Sequence, residues 1–365
     1  MSTKILAFDT EGNPPGNFED RIRTLLREFD LEYFPFNPKN KLSSAFLLFQ
    51  RIGFLRPNLV VMEGTGSAGG FAIILARWIY GVPYVFSSGD AVAPFLSLRY
   101  PWLAFPFWIY EWLLFFNCAG FIGWTPYLSG RALTLGARRA VVAAGWSPFQ
   151  MDELKRSALR KETRARYKVP EDALVIGIVG SLSWNDRVGY CYGLEIVRAI
   201  KQLSGKNIYG LIVGGGSGFE RLQREAGPLL GNRLILSGPV PRSEVAAHLV
   251  AMDIGSLPQS VDAVGGFRYT TKISEYVEAG LPFVTGQIPL AYDFGSRSVT
   301  AVWRLPGNAP WDPRYIDSLT NLLKSLTANE VSAHQRALEN LKSIFDREEQ
   351  VQRVSEFIGD LSREK

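Results

Sequence analysis

Lys272 and Glu275 stand three residues apart in T-K-I-S-E-Y-V-E-A-G-L-P, a run of helical pattern that Gly280 and Pro282 bring to an end. On a helix that interval places both side chains near one face. An ammonium there can meet a diphosphate while a carboxylate accepts from two ribose hydroxyls. Gly265 and Gly266 come just before, and glycines let a backbone approach a ligand closely where the opening N–H groups of a helix favour an anion. Taken singly, a lysine and a glutamate at this spacing also describe an ordinary surface ion pair; the glycines before them and the Gly-Leu-Pro stop after them carry the ligand reading.

Such a pair needs a scaffold. In the first half, apolar strand-like runs (Asn58 to Met62, Pro83 to Phe86) alternate with segments of helical character (Phe18 to Phe29, Phe71 to Tyr80). That alternation predicts a parallel sheet covered by helices. After Trp146 a charged stretch, M-D-E-L-K-R-S-A-L-R-K-E-T-R-A-R-Y-K, reads as a linker and entry helix. The rhythm then restarts with strands at Ala173 to Gly180, Tyr209 to Gly214, Leu234 to Leu236 and Ile254 to Leu257. In doubly wound sheets ligands sit beyond the carboxyl ends of the strands, so the loops after Gly180, Gly214 and Leu257 should converge on one crevice. The expected domains are residues 1–150, with an apolar helix near 102–122; a linker over 151–170; a nucleotide-binding domain over 171–345; and a C-terminal helix over 346–365.

Composition narrows the class. A chain of 365 residues, 47% hydrophobic and 21% charged, can build two cores, which excludes intrinsic disorder. Cys118 and Cys191 match no C-x-x-C spacing, and no D-x-D triplet occurs, so no metal site is expected. The N-terminus opens into a strand-like run without a leader pattern, which points to a cytoplasmic protein. A net charge of +5 suits an anionic partner. Neither glycine-rich turn has the G-x-G-x-x-G spacing of a dinucleotide site, which disfavours a dehydrogenase. Residues Trp102 to Ile122 carry one charge, Glu111, and are long enough to cross a bilayer, but strand-like segments on both sides belong to one sheet. Two readings remain open: a buried helix, or a helix in the membrane interface with Trp102, Trp108, Tyr110 and Trp112 at the headgroup boundary and Arg99, Arg131, Arg138 and Arg139 near lipid phosphates.

The segment D-A-V-G-G-F-R-Y-T-T-K-I-S-E-Y-V-E-A-G-L-P-F-V, from Asp262, resembles the donor-binding motif of retaining GT-B glycosyltransferases, particularly glycosyltransferase family 4. Lys272, Glu275, Gly280, Pro282 and Val284 fall at the family's K-x-x-E-x-x-A-x-G-x-P-V spacing, with Glu278 in place of the alanine and Phe283 in place of the first valine of the P-V-V run. The resemblance implies an α/β GT-B fold, two Rossmann-like domains with parallel sheets facing across a cleft. It also implies transfer of a sugar from a nucleotide-sugar co-substrate, with no separate cofactor, to a carbohydrate or lipid-linked acceptor. No nucleic acid partner is expected. The family's second glutamate, eight residues before Glu275, is replaced by Phe267, and Arg268 follows it. That departure leaves open a compensating role for Arg268 on a donor phosphate, or a catalytically degenerate subunit acting as a partner or membrane adaptor.

By the same resemblance, Gly180, Ser181 and Arg187 would approach the diphosphate, Gly214 and Gly215 the base and phosphates, and Gly12 and Gly16 of E-G-N-P-P-G-N the donor from the N-terminal side. With Lys272, Arg187 and Arg268 as the available charges, the leaving diphosphate would be stabilised without a metal. The resemblance also implies a His-Asp pair or similar polar group after a strand of the first half; the only histidines, His248 and His334, lie in the C-terminal half, and Asp90, ending Y-V-F-S-S-G-D, is the candidate to orient the acceptor or line the sugar pocket, with capping of a helix as the alternative. A sugar-nucleotide epimerase would want carboxylates or histidines across the cleft, which the N-terminal half supplies poorly.

Overall fold

The computed structural model describes residues 3–10, 17–203, 205, 207–268, 270–294 and 300–363. It divides into two compact units: Met1–Gly145 with Phe267–Thr270 and Phe345–Lys365, and Trp146–Gly266 with Thr271–Ile344.

In the first unit the chain runs β1 (Lys4–Asp9), α1 (Asn17–Leu25), β2 (Asp30–Tyr33), α2 (Lys41–Leu55), β3 (Leu59–Glu63), α3 (Ser67–Tyr80), β4 (Tyr84–Ser88), α4 (Val92–Arg99), α5 (Ala104–Asn117), β5 (Gly120–Gly123), α6 (Pro126–Thr134) and β6 (Ala140–Val142). All strand pairs are parallel, in the order β2-β1-β3-β4-β5-β6. Every residue of β3 and β4 is buried, as expected of strands covered on both faces. The apolar run from Trp102 is not one helix. Pro101 opens a short 3-10 turn, Pro106 is tolerated in the first turn of α5, where its missing N–H costs nothing, and α5 stops at Asn117 so that Gly120–Gly123 can join the sheet.

The second unit runs α7 (Glu153–Arg166), β7 (Leu174–Val179), α8 (Leu194–Lys201), β8 (Ile208–Val213), α9 (Phe219–Ala226), β9 (Leu234–Gly238), α10 (Val245–Val250), β10 (Ile254–Leu257), α11 (Lys272–Ala279), β11 (Phe283–Gly286), α12 (Pro289–Asp293), β12 (Val302–Leu305), α13 (Pro313–Ser325) and α14 (Ala328–Leu338). Its sheet, β12-β11-β10-β7-β8-β9, is also parallel throughout. The charged helix α7 packs through paired charge: Asp253 accepts from Arg160 at 2.5 Å, from Arg164 at 2.7 Å and from the Val175 amide at 2.7 Å. The last helix, α15 (Arg347–Arg363), belongs to the first unit, where the Gln350 side chain exchanges two 2.7 Å hydrogen bonds with the backbone of Gly145.

One surface of the first unit is unusual. Helix α3 lies between α2 and α5, stitched by the Phe49–Tyr80 stack, the Phe71–Tyr110 contact and a 2.8 Å bond from Trp78 Nε1 to Asn117. The outward sides of α3 and α5 are apolar, and α2 adds exposed apolar side chains between Lys41, Gln50 and Arg51: Leu42, Phe46 and Phe54 on α2, Phe71, Trp78 and Ile79 on α3, and Phe105, Trp108, Trp112 and Phe116 on α5 are all exposed. Leu42 is 84% exposed, Trp102 75% and Phe105 70%, far from the burial such side chains normally reach. Among the described residues, no helix is long and apolar enough to cross a membrane.

Candidate functional site

The carboxyl ends of β7 and β8 in the second unit are locked together by backbone. Gly180 N donates to Val213 O at 2.9 Å, Leu182 N to Gly215 O at 2.9 Å and Gly218 N to Leu182 O at 2.8 Å. Gly214, at φ +140°, has to be glycine for this: a Cβ there would lie 1.9 Å from the Gly180 carbonyl oxygen. The glycine-rich turn is therefore explained by close packing of two loops.

Lys272 begins α11 and reaches the β7 loop. A Cβ on Gly180 would come within 3.1 Å of its Cε and 3.2 Å of its Nζ, so the absence of a side chain at 180 makes room for the ammonium. Nζ also lies 4.9 Å from the centre of the Tyr192 ring. The Thr271 side chain makes no cap hydrogen bond to the first turn of α11. Glu275, one turn on, is half-buried. Burial pushes its carboxyl up, against the pull of Lys272 and then of Arg242. Lysine ammonium, carboxylate, tyrosine face and helix amino end thus gather at the carboxyl end of the sheet, a set suited to a phosphate beside a hydroxyl-bearing ring.

The other expected residues are placed as follows. Ser181 is exposed and its hydroxyl pairs with Ser183 at 2.8 Å. Arg187 is exposed on the same loop, its amide bonded to Asn185 at 3.0 Å. Gly265 and Gly266 do not offer their amides to a ligand: Gly265 N donates to the Asp262 carboxylate at 2.8 Å and Gly266 N to Asp262 O at 2.9 Å. The close approach that Gly265 permits is to Ser260, whose carbonyl oxygen would be 2.1 Å from a Cβ. Gly12 and Gly16 lie outside the described residues.

Asp90 and Arg268 come together in the first unit, Nε to Oδ1 at 3.0 Å, as a charge pair rather than an aligned hydrogen bond. Burial pushes the Asp90 carboxyl up and Arg268 pulls it down. Asp90 does not cap α4, whose N-cap is Ala91 with no side-chain bond. Phe267 packs against the core of the first unit, with Arg131 5.6 Å from its ring centre.

Tyr192 and Arg242 were not singled out by sequence spacing. The only signal was their place in loops flanking the sheet, since their relation to Lys272 and Glu275 exists only once β7, α8, β9 and α11 are assembled. A cavity of about 930 Å³ opens at the opposite end of this sheet, beside Leu174 and Ile208 at the starts of β7 and β8, and is lined by cations and carboxylates alike, among them Arg156, Lys324, Arg336, Glu171 and Glu339. It lies away from the end where α/β sheets bind their ligands. Among the described residues, no group of three or more histidine, cysteine, aspartate or glutamate side chains is arranged to hold a metal.

No protein-family model and no curated protein matches the chain. Solved structures do. Anabaena HepE in complex with UDP superposes with a TM-score of 0.70 at 16% identity over 98% of this chain and 100% of that one; the same protein was also solved with UDP-glucose. Sucrose-phosphate synthase from Thermosynechococcus elongatus gives 0.71 at 12% identity over 99% and 100%. The lipopolysaccharide outer core galactosyltransferase WaaB gives 0.60 at 14% identity over 95% and 98%. The fold is that of the GT-B proteins, two Rossmann-like units each with a six-stranded parallel sheet.

Proposed function

We propose that this chain is a glycosyltransferase that moves a sugar from a nucleoside-diphosphate sugar, with a UDP-sugar as the first candidate, to an acceptor at a membrane surface. The observation that carries the reading is the joining of Lys272, Gly180, Tyr192 and Glu275 at the carboxyl end of the second sheet, in a fold shared with proteins solved with UDP and UDP-glucose. Lys272 and the amino end of α11 would hold the diphosphate, with Ser181 and Arg187 on the neighbouring loop, and Glu275 would accept from the ribose hydroxyls. The motif from Lys272 to Val284 supports retention, as in glycosyltransferase family 4. On that reading the acceptor oxygen bonds to the anomeric carbon on the face from which the carbon–phosphate oxygen bond breaks, the acceptor proton passes to the leaving phosphate, and no metal or dedicated base takes part. Asp90, held by Arg268, is the carboxylate assigned to the acceptor side.

The apolar face of α2, α3 and α5 supports a peripheral membrane location. At one end of α5, Arg77, Arg138 and Arg139 line a cavity of about 280 Å³ beside Phe116, where lipid phosphates would find cations. A second reading, an adaptor without catalysis, draws on one observation: Phe267, at the family's sugar-contacting carboxylate, is partly buried against the core of the first unit. A thermal-shift screen against UDP, GDP, ADP and their sugars tests the first reading, followed by an assay of nucleotide release. An enzyme shows a shift with one nucleotide family, lost in Lys272→Ala and Glu275→Ala, and turns its sugar over. An adaptor shows no turnover with any donor.

A further inference from the structure

A second cavity, of about 490 Å³, opens in the first unit where β1 and β3 end, with Thr10 and Thr65 at its floor. Its volume lies in the range of small-molecule sites, about 300–1,000 Å³, and it sits at the carboxyl end of the sheet, where α/β folds take their ligands. Its walls are of two kinds. Phe36, Phe95, Leu96 and Phe107 make an apolar side, while Lys41 and Arg99 bring two exposed cations to the opening, with no carboxylate lining it among the described residues. Lys41 is the first residue of α2 and Arg99 the last of α4, so the two cations stand at the helix ends that border the cavity. Leu98 and Tyr100 line the cavity and are themselves exposed, 53% and 38%, which joins its apolar wall to the outer aromatic surface of α5.

We infer that this cavity seats one anionic amphiphile taken from the bilayer, with its phosphate between Lys41 and Arg99 and its hydrocarbon chain along Phe107, Leu98 and Tyr100 toward the exposed face of α5. The inference rests on the proposed glycosyl transfer for its meaning, because it makes a phosphate-bearing lipid the acceptor class. The charge pattern selects the occupant. A neutral apolar ligand leaves two cations idle, and a free sugar leaves the aromatic wall and its exposed continuation unused. A phospho-amphiphile engages both, through charge-assisted hydrogen bonds and apolar burial.

The test is calorimetric titration of the full chain with dodecyl phosphate below its micelle concentration, with inorganic phosphate and dodecanol as comparison ligands. Saturable binding of one dodecyl phosphate is expected. The affinity should fall by at least about tenfold in the Lys41→Glu/Arg99→Glu double variant, since a charge-assisted contact is worth about 1.5–3 kcal/mol. Both positions are at the surface, so the fold should survive, and an unchanged thermal shift with UDP would show that the second unit is intact. Ala68→Trp, which fills the cavity from the first turn of α3, should weaken dodecyl phosphate without changing the net charge. Equal affinity in the charge-reversed variant would overturn the inference, as would displacement of dodecyl phosphate by an equal concentration of inorganic phosphate. A chain that binds dodecyl phosphate in this pattern but shows no nucleotide shift would refute the donor reading and leave the amphiphile site in place.

Discussion

Removing the Lys272 ammonium should weaken nucleotide binding by about one to two orders of magnitude. The side chain is half-buried, lies over Gly180 and faces the Tyr192 ring at 4.9 Å. Its cation–π contact is worth about 0.5–1 kcal/mol, which sets about 1–4 °C as the smallest fall in melting temperature expected of Lys272→Ala, and the lost pull on the Glu275 carboxyl adds to it. A charge-assisted bond to a diphosphate contributes about 1.5–3 kcal/mol, which corresponds to a Kd about 10- to 150-fold weaker. Gly180→Ala probes the same contact from the other side. Its methyl group would stand 3.1 Å from Lys272 Cε, tighter than an ordinary contact, and the flexible end of the lysine would have to yield by a few tenths of an ångström. A smaller loss follows, and it should vanish in the Lys272→Ala background, because there is then no ammonium to displace. Isothermal titration with UDP at fixed salt measures all four proteins of the cycle. If Gly180→Ala costs as much in the alanine background as in the wild type, the two residues do not act on one phosphate. If Lys272→Ala binds UDP within twofold of the wild type, the site is misassigned.

Other consequences can be tested in parallel. Asp253→Ala removes the carboxylate partner of Arg160 and Arg164 and frees the Val175 amide, while both guanidiniums keep backbone carbonyl acceptors; the second unit should lose about 1.5–3 kcal/mol, read by denaturant titration. Glu195 is fully buried and accepts from Tyr190, Gly193 and Ser256, and burial raises its carboxyl above the unfolded value of about 4.3. Its contribution to stability is therefore full below that value and lost as the pH rises through the raised native value. Glu195→Gln abolishes this slope, so the mutant-minus-wild-type melting temperature should climb from pH 4 to pH 8; a flat difference would mean that the group does not titrate upward. Phe105→Glu with Trp108→Glu, both at exposed positions, should cut binding to anionic vesicles by at least about tenfold, since each apolar side chain lost to the interface forfeits about 1.5–3 kcal/mol. Flotation with unchanged partition would remove α5 from the membrane surface.

The strands of the second unit were legible because a parallel sheet covered on both faces demands unbroken apolar runs, and A-L-V-I-G-I-V-G and Y-G-L-I-V-G are such runs. The same property misled at Trp102 to Ile122. A surface helix of aromatic residues followed by a buried strand reads as one apolar stretch, since hydrophobicity alone does not separate them. Lys272 and Glu275 were visible because their relation is local, three residues on one helix. Tyr192, Arg242 and the space above Gly180 depend on elements brought together from distant parts of the chain, which no spacing encodes. The linker and entry helix expected after Trp146 contains α7, but its packing was not legible, since a buried Arg164 paired with Asp253 has the same letters as an exposed one. The apolar face of α2 and α3 was hidden as well, since in a sequence an outward phenylalanine and a core phenylalanine are indistinguishable.

The most direct test of the central claim is a crystal structure of the UDP complex. The diphosphate should lie over Gly180 beside the Lys272 ammonium at the amino end of α11, with the ribose hydroxyls on Glu275. UDP seated at the opposite end of the sheet, among Arg156, Lys324 and Arg336, would contradict it.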